Sequence, residues 1–445
     1  MEKTEVRPLR KRAVLALFIP LTIAAGFLRV IPIPILIPSS LEMNMTSTEI
    51  AFLVAAHPLA TIPATMMYPL IKGWKSCIYI LTAGTIGMLG FSSFTYAPLA
   101  GRLGFFYIGL IGRSLTGAAV ALMGIKICVG WTIILDNDLA KSSMAWEVLV
   151  NMGKGIGCYI GTLLFNHFGF PLTMGITGVS WFLLSVLLAL IYPQKDEESV
   201  PLIKDSGSKC KKEETLAEQY QRHFTLDTLV YGWVPMLSIG ACIVFVESIL
   251  VQFYIEEYNK TIDWGGKVIG IGSTIYTIST FVTGPIGVRF RILQYLYLIC
   301  GLAGVGFLLL FLGPVISVPN VADSTVSAVA FAAILVCNST IHFASLSLTA
   351  QILSKSVATE MAMSTAMNVW NMGYNAGAVL GPIFALNLHR IPFLTDYKTV
   401  FAIGTPFFIF SSLTVLIKLL HQKFGRKAKY LQSDSWDNFI NHDDK

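Results

Sequence analysis

Asn151-Met152-Gly153-Lys154-Gly155-Ile156-Gly157-Cys158-Tyr159-Ile160-Gly161 lies inside a largely apolar segment, Met144 to Phe165, and its outline returns 220 residues later as Asn371-Met372-Gly373, followed by Gly377 and Gly381. The tripeptide, the glycine spacing and the place within each half of the chain recur together, so the chain reads as a duplication. Glycines four residues apart share one helix face and let a neighbouring helix approach closely. Duplicated six-helix units related by an axis along the membrane normal can rock about a site held between them.

Working outward, apolar segments of about 20 residues, the length that crosses a bilayer, run Ala13 to Ile37, Ile50 to Leu70, Cys77 to Tyr96, Leu103 to Ile127, Met144 to Phe165 and Pro171 to Tyr192. Six more run Leu229 to Tyr254, Val268 to Gly287, Leu293 to Ile316, Val326 to Leu348, Ala362 to Leu386 and Val400 to Leu419. The expected fold is an all-α membrane protein of twelve transmembrane helices in two halves, residues 1–193 and 226–421. A polar linker over 194–225, rich in Lys, Asp and Glu, separates them, and 422–445 forms a tail. The first span is too long and, with Arg29, too irregular for the core of a cleaved signal peptide.

Composition agrees. The chain is 54% hydrophobic and 13% charged, against about 25% charged in soluble domains. So few charges cannot cover a water-facing surface, whereas a bundle facing lipid needs few. The net charge of +6 gathers at the ends and in loops: Lys3, Arg7, Arg10, Lys11 and Arg12 at the start, Lys423, Arg426, Lys427 and Lys429 near the finish. These runs read as cytoplasmic anchors under the positive-inside rule rather than as a nucleic-acid surface. With both termini cytoplasmic, only Arg102, Lys260, Lys267, Arg390 and Lys398 fall outside.

The sequons Asn44-Met45-Thr46 and Asn259-Lys260-Thr261 then land in the first outer loop of each half, which makes Asn44 and Asn259 candidate glycosylation sites. Asn338-Ser339-Thr340 falls within a span and should be inaccessible. The seven cysteines show neither metal-ligand spacing nor an extracellular disulfide pattern.

Leu110-Ile111-Gly112-Arg113-Ser114-Leu115-Thr116-Gly117-Ala118-Ala119 in the fourth span resembles the L-x-x-R-x-x-x-G-x-x-A signature of the major facilitator superfamily. Gly153-x-x-x-Gly157-Cys158-x-x-Gly161-Thr162 is similar to its antiporter signature G-x-x-x-G-P-x-x-G-G, with Cys158 in place of proline. The copy Gly377-x-x-x-Gly381-Pro382 keeps the proline. Phe245-Val246-Glu247-Ser248-Ile249-Leu250 resembles the F-x-E-P-x-L of the vesicular amine and polyamine transporters, with Ser248 in place of proline, and the spacing from Arg113 to Glu147 resembles the polyamine branch. Two features depart from the pattern. Arg29 occupies the first span, where amine carriers place an acidic residue, and Lys72-Gly73-Trp74-Lys75 is a poor copy of the G-x-x-x-D-R gating motif. The resemblance implies transport of a small solute, with amine for proton exchange as the expected chemistry.

Ionisable residues within the spans are Arg29, His57, Arg113, Lys126, Glu147, Lys154, Glu247 and His342. A mid-span charge costs roughly 2.5–3.5 kcal/mol, so these should face a wet cavity or one another. Glu247 is the first choice for a proton- or cation-binding carboxylate. Glu147 and Lys154, two turns apart on one face, could form with Arg113 a salt bridge that protonation breaks; a static cluster pinning the helices is the competing reading. Lys126 is expected to snorkel to the cytoplasmic surface. His57 and His342 read first as hydrogen-bonded packing residues. Pro32, Pro34 and Pro38 should interrupt the first span near its outer end. Glu198-Ser199-Val200-Pro201-Leu202-Ile203 resembles an acidic dileucine sorting signal.

The expectation is a monomeric secondary carrier in a vesicle, endolysosomal or plasma membrane, moving an organic cation against protons through Glu247, Glu147, Arg113, Lys154 and Arg29. The excess of Arg and Lys over Glu in the spans leaves an organic anion open, and the poor gating motif leaves a non-transporting receptor or scaffold open. No P-loop, H-E-x-x-H or nucleophile elbow is present, so neither an enzyme nor a cofactor is expected.

Overall fold

The computed structural model describes residues 3–71, 74–192, 225–260, 262–313, 315–355, 359–386 and 397–440; the side chains of some of these, among them Glu247, lie outside the description. The expected linker (except Thr225), the dileucine-like hexapeptide, Lys72 and Gly73 of the gating motif, and Arg390 also fall outside the described residues. No strand occurs among those described, because in hydrocarbon a spanning segment must satisfy its backbone groups internally.

The first half contains α1 (Lys3–Val30), α2 (Pro32–Glu42), α3 (Ser47–Ile71), α4 (Ser76–Tyr96), α5 (Gly101–Ile134) and α6 (Leu139–Ile191). The second contains α7 (Val234–Tyr258), α8 (Ile262–Arg289), α9 (Arg291–Leu312), α10 (Asp323–Leu353), α11 (Thr359–Leu386) and α12 (Tyr397–Ile440). Eight stretches of described helix are long and apolar enough to cross a membrane. Two of them, Ser76–Ile134 and Leu139–Ile191, each hold two spans. The more polar α8 and α11 bring the total to twelve.

Breaks fall at Ile31 and Gly169, whereas the interruption expected at Pro34 and Pro38 does not occur, because α2 runs as helix from Pro32 to Glu42. The first span is divided at Ile31, with Pro32 at the first position of α2, where its missing N–H costs nothing. Gly169, at φ 70°, kinks α6 two residues before Pro171 and so separates the fifth and sixth spans. Asp138 caps α6 by accepting from the Lys141 amide at 3.0 Å. The last helix continues to Ile440, beyond residue 421, where the sequence places the end of the second half.

Within the halves the pairing is equivalent: α1 packs on the first part of α6, and α7 on α11. Across the interface α3 and α5 meet α11, while α6 meets α8 and α10. Outward faces are apolar: Leu183, Leu187 and Leu190 form a stripe on α6 and are 56, 50 and 77% exposed. Such a stripe suits lipid and would be a liability in water.

Candidate functional site

The duplicated glycines set the helix spacing. A β-carbon at Gly153 or Gly157 would run into the backbone of α1 at Ile23 and Phe27, and one at Gly161 would lie 2.9 Å from the Ile31 oxygen. In the second half a β-carbon at Gly373 would lie 2.6 Å from the Trp233 oxygen, one at Gly381 2.7 Å from the Phe245 nitrogen, and one at Gly377 would strike Leu237 and Ala241. Pro382 follows inside α11. With the glycine faces turned to α1 and α7, other faces of α6 and α11 are free to carry polar side chains toward the interface.

One such face of α6 carries Glu147 and Asn151. Glu147 is 2% exposed, and its Oε2 accepts from Asn151 Nδ2 at 2.9 Å and from the Tyr276 hydroxyl of α8 at 3.4 Å. Asn151 Nδ2 also donates to the Glu147 carbonyl at 2.6 Å. Thr277, next to Tyr276, donates to the Asn151 carbonyl at 3.2 Å, so the contact between α6 and α8 is hydrogen-bonded across the interface. His342 of α10 brings Nδ1 within 3.2 Å of the Tyr276 oxygen and 3.9 Å of Glu147 Oε2.

Aromatic rings enclose His342. Trp370 and Tyr374, one helical turn apart on α11, stack with centroids 5.6 Å apart and planes 11° from parallel. The imidazole meets both edge-on, at 5.1 and 5.4 Å. Several buried polar atoms here have no hydrogen-bond partner among the described residues: Glu147 Oε1, His342 Nε2, Trp370 Nε1 and Asn371 Nδ2. Buried polar groups are almost always paired, and a group of unpaired ones beside ring faces suits a site that a solute or water completes.

Two cations act on the carboxylate. Arg29 of α1 and Lys154 of α6 both act electrostatically on Glu147 and on His342. Arg113, 7% exposed on α5, lies in the field of Arg29, and His57 of α3 lies in the fields of both arginines. The imidazole of His342 lies 3.9 Å from Glu147 Oε2, and among the described residues no contact within 4.0 Å joins Glu147 to Arg113. The Glu247 side chain, the first choice from sequence, lies outside the described residues.

Other sequence candidates occupy separate places. Lys126 is 6% exposed. Its ammonium lies 4.9 and 5.8 Å from the Tyr79 and Tyr192 ring centroids and donates to Ser76 Oγ at 3.4 Å, a cation–π enclosure that replaces hydration. Asn44 and Asn259 are exposed, both with left-handed backbone at φ 54° and 51°, and Asn338 is buried. Among the described residues no group of three or more His, Cys, Asp or Glu could hold a metal ion.

The model of the Major Facilitator Superfamily matches residues 18–382, more than four-fifths of the chain. The chain belongs to the major facilitator superfamily. A comparison with curated proteins gives no match. This facilitator is accordingly a secondary transporter of a small solute, and it carries its buried polar cluster at the meeting of its two halves. In the sequence, Glu147, Lys154, Arg29 and Arg113 stand out as charges within spans and Asn151 as part of the repeat, whereas Tyr276, Trp370 and Tyr374 of this cluster carry no such mark. One signal was available: at the offset of 220, Tyr374 stands where the first half has Lys154, and Trp370 where it has Val150.

Proposed function

We propose that the chain exchanges an organic cation for protons, with Glu147 as the carboxylate that holds one or the other. The observation that carries this reading is the buried Glu147 carboxylate, held by Asn151 and Tyr276, with the stacked Trp370 and Tyr374 rings packed against the neighbouring His342. A carboxylate in such a place can neutralise an ammonium group or take a proton, and binding both at once is disfavoured. Ring faces attract an organic cation, each contact contributing about 0.5–2 kcal/mol. Since α6 belongs to one half and α8, α10 and α11 to the other, occupancy of Glu147 changes what holds the halves together, and rocking follows the change in charge. Gly153, Gly157, Gly161, Gly377 and Gly381, with Pro382, keep each half rigid while it rocks.

A second reading rests on Arg29, Arg113 and Lys154, which outnumber Glu147 within the spans around this cluster and would attract an organic anion. Purified protein in proteoliposomes separates the two. An imposed pH gradient should drive accumulation of amines or polyamines, and Glu147→Gln should abolish that accumulation. Uptake confined to organic anions, indifferent to Glu147→Gln, assigns the site to the second reading.

A further inference from the structure

Glu147 and His342 stand on opposite halves with 3.9 Å between Oε2 and Nδ1, too far for a direct hydrogen bond. The Tyr276 hydroxyl lies between them, 3.4 Å from the carboxylate and 3.2 Å from the imidazole. His342 Nε2, on the far side of the ring, is buried and has no partner among the described residues. We propose that His342, Tyr276 and Glu147 form a proton wire across the interface, through which the carboxylate is loaded and unloaded at His342 Nε2. This rests on Glu147 being the exchange carboxylate.

The wire has two complete settings. With Glu147 ionised, His342 Nδ1–H donates to the Tyr276 oxygen, Tyr276 O–H donates to Glu147 Oε2, and Nε2 presents a bare lone pair. A proton arriving at Nε2 releases the Nδ1 proton to the Tyr276 oxygen, and the phenol passes its own proton to Glu147. One N–H bond and two O–H bonds form as one N–H, one O–H and the N–H or O–H bond of the proton donor break, so the balance is a single proton added to Glu147. Tyr276 ends as a neutral phenol and His342 as the other neutral tautomer, with Nε2–H outward and Nδ1 accepting from Tyr276.

Neutrality matters because other charged groups face this ring. Lys154 from α6 and Arg29 from α1 act on His342, so a tautomer swap costs less than leaving a third positive charge beside them. Tyr374 and Trp370 of α11 cover the ring edge-on and Tyr276 is the titratable neighbour on α8. Rocking parts α6 from α8 and α10, so the wire conducts only while the halves are apposed. That condition makes proton movement depend on conformation, as coupling requires.

Two measurements test this. In protein carrying ¹⁵N-histidine, reconstituted without any solute, the signal absent from His342→Gln should pass from Nδ1–H to Nε2–H as pH falls, and Glu147→Gln should hold it in the Nε2–H form at all pH values. A single tautomer throughout, or conversion to imidazolium, overturns the wire. In proteoliposomes, Tyr276→Phe, which removes only the hydroxyl, should lower pH-driven uptake relative to solute counterflow on the order of 100-fold, the scale of a positioned proton-transfer group. His342→Gln should do the same, and an unchanged ratio in Tyr276→Phe also overturns the wire. If the unmodified protein moves no cation under any gradient, the exchange reading fails separately, and the tautomer measurement still decides the wire.

Discussion

Asn151 and Asn371 hold equivalent places in the two halves, yet only Asn151 has a side chain that reaches a charge. Its amide nitrogen donates to Glu147 Oε2 at 2.9 Å, whereas Asn371 Nδ2 is buried without a partner among the described residues. The difference lies one turn earlier, where the first half has Glu147 and the second has Met367. At matching places in the two halves, one residue differs and with it the hydrogen bonding of the asparagine.

The two asparagines should therefore respond differently to the same substitution. Asn151→Leu leaves the Glu147 carboxylate short of a donor and should destabilise the protein by about 1–3 kcal/mol. Asn371→Leu removes an unpaired amide and should be neutral or stabilising. Thermal stability of the purified protein in detergent gives the comparison, and equal losses from both would contradict it.

Trp370→Ala and Tyr374→Ala should each raise the half-saturating concentration of a transported cation roughly 2- to 30-fold, the equivalent of 0.5–2 kcal/mol for one lost ring face. Trp370→Phe should keep most of the affinity, because the face remains while the indole N–H is lost. Concentration dependence of uptake reads this directly. A loss in Trp370→Phe as large as in Trp370→Ala would instead assign the role to the N–H.

Gly153→Ala and Gly377→Ala should each cost about 1–3 kcal/mol or more, since the added carbon meets backbone rather than a movable side chain. Gly155→Ala, on the same helix as Gly153, should be tolerated, because its nearest neighbour is Thr277 Oγ1 at 4.0 Å. Monodispersity after heating distinguishes them. Equal sensitivity would mean that helix propensity, not close approach, governs these positions.

Asp138 lies in the loop before α6. Partial burial works to raise its carboxyl, but hydrogen bonds from Lys141 and its ammonium outweigh that and hold it below the usual carboxylate range. The cap therefore stabilises the protein above the unfolded value of about 3.9, and this stabilisation is lost as pH falls through the lower folded value. Asp138→Ala should lower stability by about 1 kcal/mol at pH 7, with the difference shrinking toward pH 3. A difference constant over that interval would locate the effect outside the carboxylate.

The amino-acid sequence by itself determined the solvent, the twelve spans and the duplication, because each depends on local quantities: the apolar length that hydrocarbon requires, and a glycine spacing legible along one helix. It also singled out Glu247 first, and Glu147, Lys154, Arg29 and Arg113, since a charge at bilayer depth is conspicuous whatever surrounds it. Only the tertiary structure decided what Glu147 touches. Tyr276, Trp370 and Tyr374 are unremarkable within their own helices, and they and His342 gain their partners only when α8, α10 and α11 come together beside α6. The hydrogen bonds of Tyr276 to Glu147 and His342 join residues 129 and 66 positions apart; they and the ring contacts between α10 and α11 are set by helix packing, and no pattern within a single span records them.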